Sequence, residues 1–104
     1  MEDRTIIELL WNRDEAALGA AEDCCGALCR ALALNLLGSR EDAEECWSDA
    51  LLRLWDSVPP ARPRNLRAYL AKLTRRLALD RLRAASAEKR GGGVTPLLLD
   101  ELAD

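Results

Sequence analysis

Between residues 60 and 90 the chain carries Arg62, Arg64, Arg67, Lys72, Arg75, Arg76, Arg81, Arg83, Lys89 and Arg90 against two acids, Asp80 and Glu88. Cationic groups at that density suit one chemistry above others: holding phosphate oxygens through charge-assisted hydrogen bonds, with release of condensed counterions. Their spacing matters more than their number. Lys72, Arg75, Arg76, Leu79 and Arg83 recur at intervals of three and four, which puts them on one face of a helix, as a phosphate backbone requires. Asp80, four residues after Arg76 and three before Arg83, reads as an ion-pair partner that steadies both arginines.

A second constellation has the opposite sign. Residues 1–59 hold five arginines against thirteen carboxylates, so the net charge of −3 hides a two-ended molecule. Such asymmetry suits a polyanion at one end and a basic protein surface at the other, although two solvated helix faces would carry the same charges. On the helix expected at about 40–57, Glu41, Glu45, Ser48, Asp49, Leu52 and Asp56 share one side. Ala43, Trp47, Ala50, Leu51, Leu54 and Val58 share the other, which is the core side. Leu52 among carboxylates resembles the apolar centre of a binding face with a charged rim.

Enzyme chemistry is the weakest fit. There is no histidine, no glycine-rich phosphate loop after a strand, and the carboxylates gather on a solvated helix face. Cys24, Cys25, Cys29 and Cys46 include no C-x-x-C pair, so neither a metal set nor a cofactor is expected. Cys25 and Cys29 share a helical face with Leu18, Leu32 and Leu36 and read as small buried hydrophobes.

The elements that position these residues are helices. A chain of 104 residues with 49% apolar content, few β-branched residues and no phenylalanine fits one all-α domain, a compact bundle of about four helices. No apolar run is long enough for a membrane span and the acidic N-terminus is no signal peptide, so a cytoplasmic protein is expected.

Thr5-x-x-Glu8 has the form of a capping box that opens a short helix through Ile6, Ile7, Leu9, Leu10 and Trp11. Asn12-Arg13-Asp14 breaks it. A second helix is predicted from about Glu15 to Leu37 with a buried stripe of Leu18, Ala21, Cys25, Leu28, Leu32 and Leu36, stopped by Gly38. Ser39 should cap the third. Pro59, Pro60 and Pro63 make a stiff basic loop. Asn65 should then cap a last helix from Leu66 to about Lys89, with Leu66, Tyr69, Leu70, Leu73, Leu77 and Ala84 buried. Tyr69 reads as core rather than a base-stacking platform. Gly91-Gly92-Gly93 should end that helix and close a domain spanning 1–90. Residues 91–104 then read as a linker with a leucine-rich acidic tail, of a chain expected to continue.

Residues 38–93 resemble the second region of the extracytoplasmic-function sigma factors, the promoter-reading subunits of bacterial RNA polymerase. The resemblance is carried by Glu41-Asp42-Ala43-Glu44-Glu45-Cys46, by the stretch ending at Leu54-Trp55, by the Pro-Pro loop leading into Leu66-Arg67-Ala68-Tyr69-Leu70, and by Leu77-Ala78-Leu79-Asp80-Arg81-Leu82-Arg83. Residues 5–37 fit the family's preceding segment through weaker signatures. The resemblance implies a non-enzymatic initiation module. Asp42, Glu45, Ser48, Asp49, Leu52 and Asp56 would then face a coiled coil in the clamp of core RNA polymerase. Arg62, Arg64, Asn65, Arg67, Lys72, Arg75, Arg76 and Arg83 would engage the −10 promoter element and capture a base flipped from the non-template single strand.

Two positions depart from the family pattern. Ser48 stands where glutamine or asparagine is common, and Arg76 where asparagine is, replacing a base-edge reader with a phosphate holder. The helix-turn-helix for the farther promoter element, which follows in a whole family member, is not expected within residues 94–104. The alternative reading is a protein-protein interaction domain of a sigma/anti-sigma system, its basic helix covered by an anti-sigma factor.

Overall fold

The computed structural model describes residues 1–88. Four helices follow in order: α1 (Asp3–Trp11), α2 (Ala16–Leu37), α3 (Arg40–Ser57) and α4 (Leu66–Glu88). Among the described residues there is no strand, so the expected all-α class stands. α2 is the central element and packs on each of the other three, while α3 and α4 also pack on one another. Lys89, the glycine run and the tail at 94–104 lie outside the described residues.

Local signals set most boundaries. Arg13 adopts a left-handed conformation (φ 56°) between α1 and α2, and the Asp14 carboxylate accepts from the Ala16 N–H at 2.9 Å. Gly38, at φ 70°, closes α2 by donating its N–H to the Leu34 carbonyl at 2.8 Å, because glycine meets no Cβ penalty there. Ser39 Oγ then accepts from the Asp42 N–H at 3.3 Å and opens α3. At α4, Asn65 Oδ1 accepts from the Ala68 N–H at 3.0 Å, the expected cap.

The capping box at Thr5 and Glu8 does not form. α1 starts earlier, at Asp3, its N-cap Glu2 makes no side-chain bond, and both Thr5 and Glu8 are exposed inside the helix. Ile6, Ile7 and Leu10 are buried, and it is that burial, rather than a local cap, that seats a helix of nine residues.

The core of α3 matches its pattern: Ala43, Trp47, Ala50, Leu54 and Val58 are buried, with Leu51 half-buried. Two other buried stripes meet expectation only in part, at Ala21 and Cys25 of α2 and at Leu66 and Leu70 of α4. On α2 the inward residues are Ala17, Ala21, Cys25, Gly26, Cys29 and Ala33. Leu18, Leu32 and Leu36 are half-buried at the margins and Leu28 is 41% exposed. A helix flanked by three neighbours packs most closely along its small residues, and the leucines cover the seams on either side. On α4, Leu66, Leu70, Thr74, Ala78 and Leu79 are buried; Tyr69, Leu73 and Leu77 are half-buried and Ala84 is exposed. Thr74 enters the core at little cost because its hydroxyl donates to the Leu70 carbonyl at 2.8 Å.

One polar knot fixes α2 against α3. Glu22 accepts two bonds from Arg30, both at 2.7 Å, and one from the indole N–H of buried Trp47 at 2.8 Å. Arg30 Nε also faces Glu44 of α3 at 2.7 Å. Gly26 lies beneath the Glu22–Arg30 pair, and a Cβ there would collide with the Glu22 carboxylate. The Arg30 bonds, then the Trp47 bond, hold the Glu22 carboxyl below its ordinary range. A depressed carboxylate adds stability above its unfolded value of 4.5, and that contribution is lost as pH falls through the lower folded value. Glu22→Gln should therefore melt at a lower temperature at neutral pH and show a flatter loss of melting temperature below about pH 4.5. Parallel acid profiles would remove Glu22 from this role.

Candidate nucleic-acid and polymerase interfaces

The basic face of α4 forms one wall of an open groove against α2, about 740 Å³ in volume, lined by Leu32, Ala68, Ala71, Lys72, Arg75, Arg76, Leu79 and Arg83. Leu79, expected on the charged surface, is buried and makes the apolar floor. Lys72, Arg76 and Arg83 are exposed and Arg75 is half-buried. Of the carboxylate restraints expected from Asp80, one is present: Arg83 pairs with it at 3.4 Å. Arg76 makes no ion pair among the described residues. Cations over an apolar floor can hold a backbone while leaving space for the bases that follow it.

The structure divides the remaining basic residues. Arg67 turns to a separate depression between the start of α2 and α4, shared with Asp3, Glu22, Asp23 and Cys24. Arg62 and Arg64 line another, between the loop and α1, of about 460 Å³, together with Asp3, Arg4, Ile7, Glu8 and Pro63. Asn65 is exposed, with its side-chain oxygen engaged in capping α4.

Of the residues that periodicity groups on the acidic side of α3, Glu41, Glu45, Ser48, Leu52 and Asp56 are exposed, Leu52 to 60%, and Asp49 is half-buried. Asp42, which the resemblance adds, is exposed as well. Arg81 crosses from α4 to this face, meeting Asp49 at 2.9 Å and Glu45 at 3.1 Å. Those bonds, Asp49 first, raise the affinity of the Arg81 guanidinium for its proton. Nine residues after Lys72, Arg81 lies about half a turn around α4 from the groove, so this pairing leaves the groove's own cations untouched.

Cys25, Cys29 and Cys46 are buried free thiols and Cys24 is half-buried. Burial first, and then the bond that its thiol donates to the Cys24 sulfur, pushes the Cys25 thiol up to about 12. Among the described residues no cluster of cysteine and acid side chains could hold a metal ion, and no helix is long and apolar enough to cross a membrane.

Sequence reasoning missed the contacts between α1 and the loop. Trp11 donates its indole N–H to the Ala61 carbonyl at 3.3 Å and lies under the Arg62 guanidinium, 3.9 Å from its ring centre. Arg13 sits 3.8 Å over Trp55 and donates to the carbonyls of Trp55 at 2.8 Å and Val58 at 3.2 Å. Asp3 accepts from the Leu66 N–H at 3.0 Å. No local pattern announces partners 42 to 63 residues apart.

The family model of sigma-70 region 2 matches residues 23–88. This chain belongs to the sigma-70 region 2 family. Sigma-70 region 2 is a non-enzymatic domain of transcription initiation that works with core RNA polymerase and promoter DNA. The match covers α3, α4, the loop between them and most of α2, so the groove and the acidic face both fall inside the region 2 domain, whereas α1 falls before it. No curated protein and no solved structure matches the chain.

Proposed function

We propose that this region 2 domain belongs to the extracytoplasmic-function subfamily, and that it docks on the clamp coiled coil of core RNA polymerase through α3. It then receives the non-template strand of the −10 element along the α2/α4 groove and the loop at 59–65. Asp42, Glu45, Ser48, Asp49 and Asp56 form the charged rim around Leu52. Lys72, Arg75, Arg76 and Arg83 hold phosphates, while Arg62 and Arg64 act at the loop. Arg67, turned toward acids of the α1/α2 end, contributes at most to the field. In this reading the domain is assigned to residues 1–90, and 91–104 are assigned as linker and tail.

The observation that supports this most is the separation of signs: the groove's Lys72, Arg76 and Arg83 make no ion pair with an α3 carboxylate among the described residues, whereas Arg81, on the other side of α4, pairs with Asp49 and Glu45. The reading is tested by titrating a fluorescein-labelled single-stranded promoter fragment with the protein across a salt series. Affinity that falls steeply with salt, and that weakens when groove cations are reversed, is the expected result. Binding indifferent to both would defeat the nucleic-acid assignment.

A further inference from the structure

The loop at 58–65 is anchored at its start, middle and end by side chains from one short stretch. Arg13 holds the Val58 carbonyl, Trp11 holds the Ala61 carbonyl, and Asp3 holds the Leu66 N–H. All three anchors precede residue 23, where the family match begins. The Asp3 bond is doubly favourable, because it satisfies one of the orphan donors at the start of α4 and places a negative charge at the positive end of that helix.

Arg62 is the loop residue most changed by this arrangement. It is exposed, it forms no ion pair among the described residues, and it rests on the Trp11 ring. A free arginine would have to be ordered on binding, at a cost in side-chain entropy. One already laid on an indole is ordered beforehand and keeps its charge, and a guanidinium plane is a surface on which unstacked bases settle. Beside it, Ile7 and Pro63 supply apolar walls and Arg4 and Arg64 further charge.

We infer that α1 is a working part of the nucleic-acid interface: Trp11 acts as a positioning residue that presents the Arg62 guanidinium, preformed, to an unstacked nucleobase. The inference rests on the nucleic-acid reading above and adds to it a base-contacting site built from outside the matched residues. It also supplies the stacking platform that the half-buried Tyr69, its hydroxyl 2.7 Å from Ser57 Oγ, does not offer.

The test uses two fluorescein-labelled probes, a thymidine dodecamer and an abasic dodecamer with the same phosphates and no bases. Wild-type protein should bind the thymidine strand about tenfold more tightly, the order expected of one stacked base. Arg62→Lys, which keeps the charge and removes the plane, should bring that ratio close to one. Trp11→Leu should do the same, and Trp11→Phe, which retains a ring under Arg62, should restore most of the ratio. A purely structural Trp11 would weaken both strands in proportion to lost stability, and that result overturns the inference. So does equal wild-type binding of both strands, which would leave phosphate holding intact. Binding of neither strand would instead defeat the nucleic-acid reading and carry this inference down with it.

Discussion

Reversing two charges in the groove, Lys72→Glu with Arg76→Glu, should weaken binding of a single-stranded promoter fragment about thirtyfold or more at low salt. Two phosphate contacts at about 1 kcal/mol each give that factor before any repulsion from the new carboxylates is counted. The slope of log affinity against log salt should become shallower by about 1.4, since each contact to single-stranded DNA releases about 0.7 counterion. Both side chains are exposed, so the melting temperature should scarcely move. The slope is the sharper readout. A loss of affinity with an unchanged slope would mean that the two residues do not touch phosphate, and the groove would lose its assignment. Arg81→Gln is the internal control: its guanidinium serves Glu45 and Asp49 on the far side of α4, so the salt slope should stay as in wild type.

Leu52→Asp should lower affinity for core RNA polymerase about thirtyfold or more, the loss typical of an apolar anchor at the centre of a charged rim. The residue is 60% exposed and packs into neither cluster of the core, so the variant should fold normally. Binding of single-stranded DNA should be retained, because Leu52 lies on α3 and the groove is formed by α2 and α4. Polymerase binding in a pull-down, compared with DNA affinity on the same preparation, separates the two faces. Equal retention of both would remove α3 from the polymerase assignment.

How far the sequence revealed all this depended on the range of each signal. α3 was legible because charge and bulk alternate cleanly along it, its start carries a local cap at Ser39, and Pro59 and Pro60 stop it. The loop was legible from its prolines. α2 gave the right helix and part of its buried face, Ala21, Cys25 and Cys29, but Leu18, Leu28, Leu32 and Leu36 were placed too deep, since alanine, cysteine and leucine surround the helix on every side and apolar periodicity cannot rank small against large. The structure ranks them by approach: Ala21, Cys25 and Cys29 face neighbouring helices where a leucine would hold them apart. α4 misled in a related way, because Thr74 reads as polar until its hydroxyl is seen to close on Leu70. The groove's cations were found from spacing, but its apolar floor at Leu32 and Leu79 needed two helices together. Trp11 and Asp3 were beyond reach, since their partners lie far along the chain.

The seam of small side chains down α2 gives the protein its own gauge of breathing. Cys25, Cys29 and Cys46 sit in the core, each thiol pushed up chiefly by burial, so little reactive thiolate meets solvent while the helices remain together. Alkylation of these three sulfurs must wait for the helices to part, and its rate in excess reagent therefore measures how often they do. A ligand that grips only the closed bundle would slow that clock in proportion to its occupancy.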